Sequence, residues 1–529
     1  MSERQQVVIV GGGPVGVGLA VDLGLRGITC TLVERRIEPQ RIPKGQNLTQ
    51  RTMEHFYFWG LEPELRAARV MPPETTIGGV TVYENLMGEY WMIPPQREAV
   101  RDYYYQANER LPQYEMEYVL RRKMAELPTV TAKLGWRAEA LEQDEHGVRV
   151  VISKSDGNGG GQEELEADYV VGCDGAHSAV RDAIGIERSG SDFDQIMVLA
   201  VFRSKDLHEL LKRFPERSTY RVMHPDLKGY WQFFGRIDVG EGFFFHAPVP
   251  ANTTRDNYDF QGLINQIAGQ EVHCDFDYVG FWDLRVAVAE QYQLGRVFIA
   301  GDAAHSHPPY GGFGLNNGLE DIRNLGWKLA ARLQGWGGEA LLESYSDERR
   351  PIFKETGEDF IASRIEREGA FFDRYNPQKD KAAFEKAWKE LENSGRDFVM
   401  TYEPNFEGSS VIDGPPGGVC SAHGNHTYTA RAGHHLPPHS LSSGKDVFEE
   451  LLDGFTLLAF DADDEAVNAF EAAAAELTIP FKTVRDTYAD PRTQYEAKMI
   501  LVRPDQYVVW IGDTLPADAK ALLQKAVGK

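Results

Sequence analysis

No stretch of this 529-residue chain approaches the roughly 18 uninterrupted apolar residues of a membrane-spanning helix. Cysteine is scarce: Cys30, Cys173, Cys274 and Cys420 are scattered and form no C-x-x-C. That excludes a disulfide framework and a cysteine metal cluster, and it fits a reducing compartment. Basic residues are outnumbered, 56 Lys and Arg against 80 Asp and Glu, which sets the net charge at −24. Such a balance argues against nucleic acid or an anionic membrane as partner. The N-terminus, Met1 to Gln6, runs directly into an apolar strand, so no signal peptide is expected and a cytoplasmic location is. There is no internal repeat.

Glycine, by contrast, is concentrated where it can act. Val7-Val8-Ile9-Val10 reads as a buried parallel strand, and Gly11-Gly12-Gly13-Pro14-Val15-Gly16 follows it. Gly11 and Gly13 allow a tight turn and close approach of the backbone to a pyrophosphate, while Gly16 lets the next helix pack near the strand. That helix is expected from Pro14 to Arg26, with Pro in its first turn and Gly27 beyond its end. Its N-terminus presents unpaired N–H groups and partial positive charge to an anion. A second strand, Thr29 to Val33, ends at Glu34, placed as the acid that grips a ribose hydroxyl.

Farther along, a glycine-rich break between Ser153 and Gly161 reads as a hairpin tip. Residues from about 190 to 285 alternate aromatic and polar side chains, the texture of an antiparallel sheet with one buried face. An amphipathic helix is expected after Asn316, and charged helical sequence runs to about residue 400. A Gly/Pro/His-rich connector follows, and the last ninety or so residues return to βα texture, with a hairpin around Arg503-Pro504-Asp505-Gln506. The connector's tract from Gly433 to His439 has histidines but no carboxylate or cysteine to complete a ligand set, so no metal site is expected.

Four signals in order now carry a resemblance. They are the fingerprint ending at Glu34; Asp174-Gly175 with Ser178 and Arg181; Gly301-Asp302-Ala303-Ala304-His305 with Pro308-Pro309; and Gly311-Gly312-Phe313-Gly314-Leu315-Asn316. Over roughly the first 400 residues the chain resembles the class A FAD-dependent aromatic hydroxylases, the family of p-hydroxybenzoate hydroxylase. The branch it looks most like is that of phenol and 3-(3-hydroxyphenyl)propionate hydroxylases. The resemblance implies an α/β fold: a Rossmann-type FAD-binding domain interleaved with an antiparallel-sheet substrate domain over residues 1–410, the sheet mainly at about 190–290. A linker at 411–435 and a thioredoxin-like domain at 436–529 would follow. Without a C-x-x-C that last domain is expected to serve packing or dimer formation, a homodimer being one expected assembly.

The same resemblance implies tightly bound, non-covalent FAD and a transient visit by NADH or NADPH. FAD contacts are expected from Gly11, Gly13, Pro14, Val15, Gly16, Glu34, Arg35, Lys44, Arg51, Gln113 and Asp174. Gly301, Asp302, Pro309, Gly312, Gly314, Leu315 and Asn316 would complete the set, with no metal. Reduced flavin in this family takes up O2 as a C4a-hydroperoxide that attacks an electron-rich ring. The implied partner is therefore a small phenolic or heteroaromatic substrate. Tyr220, Tyr230, His246 and Arg285 are the candidates for relaying its proton, with His305 or His307 near the flavin. Epoxidation, Baeyer–Villiger insertion, tailoring or inactivation of a larger polyketide-like or antibiotic substrate, and FAD binding without turnover are the alternatives.

Overall fold

The apolar run at the front becomes a strand, Gln5–Val10, in the computed structural model, which describes residues 4–94, 97–155 and 161–529. It lies parallel between Cys30–Glu34 and Gln162–Gly172, and Val130–Leu134 and Val297–Ile299 extend this sheet in parallel on either side. Val7, Val8 and Ile9 are wholly buried because both faces of a parallel sheet are covered. On one face lies the helix Pro14–Leu25. A central helix, Phe313–Leu333, packs against it, with Ile322 and Leu319 over Gly18. The tip of the glycine-rich hairpin, 156–160, lies outside the described residues.

The alternating stretch forms a second, eight-stranded sheet whose long members are Arg188–Arg203, Gly242–Pro250 and Asp275–Ala289. It also recruits Gly79–Tyr83 from early in the chain, paired parallel to Thr219–Met223. Alternation predicts a half-buried strand but not its neighbour, so this pairing was hidden in the sequence. At the opposite edge His305–Ser306 pairs with Ala287 and Val288, tying the loop after Ile299 to both sheets.

Helices cover residues 339–374 and 381–401, and the C-terminal part carries a four-stranded mixed sheet in the order Phe481–Asp486, Phe455–Phe460, Met499–Val502, Val508–Gly512. The Gly/Pro/His-rich connector packs closely: Val411, Ile412, Ala430 and Leu436 are all buried. No described helix is long and apolar enough to cross a membrane.

Candidate active site

The glycine loop shows why each glycine is needed. Gly11 has φ +108, and a Cβ there would stand 2.3 Å from the Cys173 carbonyl oxygen. A Cβ on Gly16 would meet the Gly11 carbonyl oxygen at 1.9 Å, so this residue is glycine for packing and does not face the cavity. A Cβ on Gly13 would meet nothing within 4 Å, because Gly13 opens onto a cavity of about 1170 Å³. Glu34 closes the loop from the second strand, accepting the Gly12 N–H at 2.6 Å and the Arg36 N–H at 2.7 Å. A carboxylate has about four lone-pair sites, so acceptor capacity remains for a ribose. The loop thus fits a dinucleotide pyrophosphate: open space at Gly13, a helix N-terminus behind it and an acid beside it.

The second half of the cradle is built from the loop after Ile299 and the start of the central helix. Gly301 has φ +58 and donates its N–H to Asp321 at 3.0 Å. Asp321, wholly buried, also meets His305 Nε2 at 2.6 Å and accepts from Arg349 Nε at 2.8 Å. Asp302 is open to the cavity yet walled in by protein, and that enclosure raises its carboxyl against the pull of His305, Lys44 and Arg188. Gly312 caps the central helix with φ +67, and Asn316 in its first turn accepts from the Thr49 N–H at 2.9 Å and donates to the Asn47 carbonyl at 2.9 Å. The first turn of that helix starts three residues earlier than Asn316, so Gly314, Leu315 and Asn316 line the cavity with Pro309 and Gly312.

Pro14, Val15, Arg35, Lys44, Gln113 and Asp174 also line it. Asp174 accepts from the Ser178 hydroxyl and the Val180 N–H, and burial raises its carboxyl. Gln113 Oε1 accepts from the Gly45 N–H at 3.2 Å. Arg51 lines the cavity too, with its guanidinium turned to protein partners. Its Nε donates to Glu320 at 3.1 Å and Nη1 to Glu54 at 3.1 Å and Gln506 at 3.0 Å, while Nη2 serves Glu320 and the Asp505 carbonyl. All five N–H groups are engaged within the protein, which leaves none for a cofactor phosphate.

Opposite the cradle stands the aromatic face of the second sheet. Trp231, Phe233, Phe244, Phe281 and Trp282 line the cavity with His246 and Arg285. Tyr220 does not: it is wholly buried on the other face, against Phe214, and its hydroxyl accepts the Arg217 N–H at 3.4 Å. Tyr230 also lies off the cavity wall. For Tyr220 this follows from strand geometry, since side chains alternate across a sheet and packing sets the phase, whereas Tyr230 stands just before the strand Trp231–Arg236. Thr219 and Arg221, on either side of Tyr220, are the residues that face inward.

Arg221 belongs to a cluster that only the fold assembles. Glu368, buried, accepts from Arg221 Nη1 at 3.0 Å, Arg364 Nε at 3.0 Å and Trp231 Nε1 at 2.5 Å. Both guanidinium groups stack on Trp231, at 4.4 and 4.6 Å. Burial pulls Arg221 down to about 10, with Glu368 opposing. Only the i, i+4 spacing of Arg364 and Glu368 was visible in advance.

His246 sits beside Phe233 and Trp282, ring centroids 4.7 and 4.9 Å away. Burial lowers it to about 3, against a hydrogen bond to the Val198 backbone, so it is neutral near pH 7. Its Nδ1 has no protein partner among the described residues. His307 is likewise lowered by burial, to about 4, with the Pro308 carbonyl opposing.

Eleven Lys and Arg line the cavity against seven Asp and Glu, the reverse of the whole chain's balance, so the site attracts anions on an acidic protein. At its far end the cavity reaches His426, His435 and Tyr507 of the connector and C-terminal part. His434 nearby holds Glu403 at 2.8 Å through Nδ1 and Glu407 at 2.8 Å through Nε2.

The chain matches the FAD binding domain family over residues 4–358 and the aromatic-ring hydroxylase C-terminal family over residues 429–529. The FAD-dependent monooxygenase apdD of Emericella nidulans is 28% identical over 97% of this chain and 88% of its own. The 4-methyl-5-nitrocatechol 5-monooxygenase of a Burkholderia species is 28% identical over 98% of this chain and 96% of its own. Among solved structures, a ternary complex of aklavinone-11 hydroxylase with FAD and aklavinone superposes with a TM-score of 0.80 at 26% identity, covering 100% of each chain.

Proposed function

The chain belongs to the FAD-binding aromatic-ring hydroxylases and is an FAD-dependent monooxygenase with NAD(P)H as electron donor, and from that premise we propose that it hydroxylates a phenolic ring held against His246 and Arg285. The observation that carries this reading is the cavity joining the glycine loop to an aromatic wall that holds the neutral imidazole of His246 and the guanidinium of Arg285. FAD, when bound, supplies the electron and oxygen chemistry, and the protein supplies binding, orientation and exclusion of water.

The residues divide the remaining work. Gly13 and the N-terminus of Pro14–Leu25 hold the pyrophosphate, Glu34 the ribose, and Asp302 the polyol chain. The N–H groups of Gly314 to Asn316 lie at a helix N-terminus, where the dipole favours the extra negative charge of a reduced flavin ring. On the substrate side, His246 Nδ1 has no protein partner among the described residues, which leaves a neutral imidazole to meet the phenol's hydroxyl. A neutral imidazole this hard to protonate orients the hydroxyl; the Arg285 charge favours the phenolate, which is the better nucleophile.

The likeness to aklavinone-11 hydroxylase, solved as a complex with FAD and aklavinone, favours a substrate larger than one ring. The test is aerobic NADH and NADPH oxidation by purified holoprotein across single-ring phenols and fused-ring phenols, with product masses. A fused-ring phenol that accelerates oxidation and gains one oxygen atom supports the proposal. Turnover restricted to ketones or alkenes would replace hydroxylation by another oxygen insertion.

A further inference from the structure

The hairpin tip at 503–506 is built like an exposed polar turn, yet Arg503, Asp505 and Gln506 are all buried. Buried polar turns persist only where every group is satisfied, and here the partners come from the FAD-binding part of the chain. Arg503 grips Glu348 with two bonds of 2.8 Å and Asp505 with bonds of 2.6 and 2.9 Å. Glu348 also receives Lys328 at 2.8 Å and Asn324 at 2.6 Å from the central helix. The Pro504 carbonyl accepts from Arg323 at 2.8 Å, and Gln506 Oε1 from Arg51 at 3.0 Å.

Two short paths lead from this turn to the cofactor cradle. Glu348, held by Arg503, is followed in the same helix by Arg349, which donates to Asp321 at 2.8 Å and to the Asn317 side chain at 3.1 Å. Asp321 in turn fixes the Gly301 N–H and His305. The second path runs from Gln506 to Arg51 and on to Glu320, next to Asp321 in the central helix. A buried ion network of this kind adds little stability over packed apolar residues, but it accepts only one geometry.

We infer that Arg503 and Gln506 are positioning residues for the flavin site: the C-terminal unit acts as a wedge whose buried turn sets the central helix and the Gly301–Asp302 loop. This needs the flavin site alone, so it stands or falls independently of the substrate proposal.

The test uses the full chain, with Gln506→Asn, Gln506→Glu and Arg503→Lys. Gln506 has φ +65, which Asn tolerates while falling short of Arg51; Glu keeps an acceptor within reach. Lys at 503 keeps the charge and loses the two-pronged grip. FAD is titrated into each apoprotein, the midpoint potential of the bound flavin is measured, and apoprotein melting is followed in parallel. Val484→Ala, in the same C-terminal sheet but away from the turn, controls for simple destabilisation.

Gln506→Asn should bind FAD about tenfold more weakly, the size of effect that a displaced contact has on a distant site, with a lowered flavin potential and a melting loss no greater than that of Val484→Ala. Gln506→Glu, which keeps the acceptor toward Arg51 but loses the Nε2 donor to the Pro504 carbonyl at 2.6 Å, should restore most of both, and Val484→Ala should lower melting without touching either. Unchanged affinity and potential in Gln506→Asn would overturn the inference, as would losses that follow melting temperature equally in Val484→Ala. Should Arg503→Lys fail to fold, the Gln506 pair decides.

Discussion

Replacing Gly13 by alanine should separate cofactor binding from folding. Gly13 has φ −72 and ψ −178, a conformation open to any residue, and its added methyl would meet no atom within 4 Å. Alanine is a poorer N-cap than glycine but loses less chain entropy on folding. Each effect is under about 1 kcal/mol and they oppose one another, so stability should stay level. The methyl instead occupies the space through which a pyrophosphate reaches the loop N–H groups. Losing one hydrogen bond to a charged oxygen costs about 1.5–3 kcal/mol, or roughly 10- to 100-fold in affinity. Fluorescence titration of apoprotein with FAD, beside a melting curve, measures both quantities. Gly16→Ala is the contrast: its methyl would stand 1.9 Å from the Gly11 carbonyl oxygen, so folding and binding should fail together. A Gly13→Ala protein that binds FAD as tightly as the parent would refute the placement of the pyrophosphate.

Tyr220→Phe should leave turnover unchanged because the hydroxyl faces away from the cavity, whereas His246→Phe should lower kcat with FAD affinity intact; equal losses in both would contradict the assigned faces. Burial lowers His246 to about 3 in the folded chain against about 6.5 unfolded, so between those values the unfolded state binds more protons. Its stabilising share is complete above pH 6.5 and shrinks on acidification, by about 1–2 kcal/mol at pH 5. Melting curves from pH 7.5 to 5 should therefore fall less steeply for His246→Phe than for the parent, and parallel curves would show that the group is not buried neutral. Glu368→Gln removes the buried carboxylate between Arg221 and Arg364 and should cost about 3–5 kcal/mol in urea unfolding, since the buried Arg221 guanidinium then faces the half-buried one of Arg364 without a counter-charge. A loss below about 1 kcal/mol would mean that solvent already screens the cluster.

Local patterns made the cofactor cradle legible from sequence. The strand, the three glycines and Glu34 form one contiguous unit whose spacing is dictated by a turn, a helix start and an acid. The structure places Gly11, Gly13 and Glu34 on one cavity wall as that spacing required. The loop after Ile299 and the start of the central helix were legible for the same reason, because backbone geometry there depends on adjacent residues. The strand Phe455–Phe460 and the helix beginning at Asp464 likewise followed from local apolar pattern.

Residues that act across long sequence separations were decided only by tertiary structure. Alternation along Thr219–Met223 marked a strand, but only sheet packing chose the face, sending Arg221 inward and Tyr220 out. Glu368 completes the Trp231 cluster from 137 residues away. The Arg51 guanidinium meets Gln506 across a separation of 455. A turn rich in charge and proline reads as solvent-exposed, and nothing within it announces the buried acids and arginines waiting to receive it. Sequence determines local geometry through short-range sterics and hydrogen bonding; which charges are desolvated together depends on the packed whole.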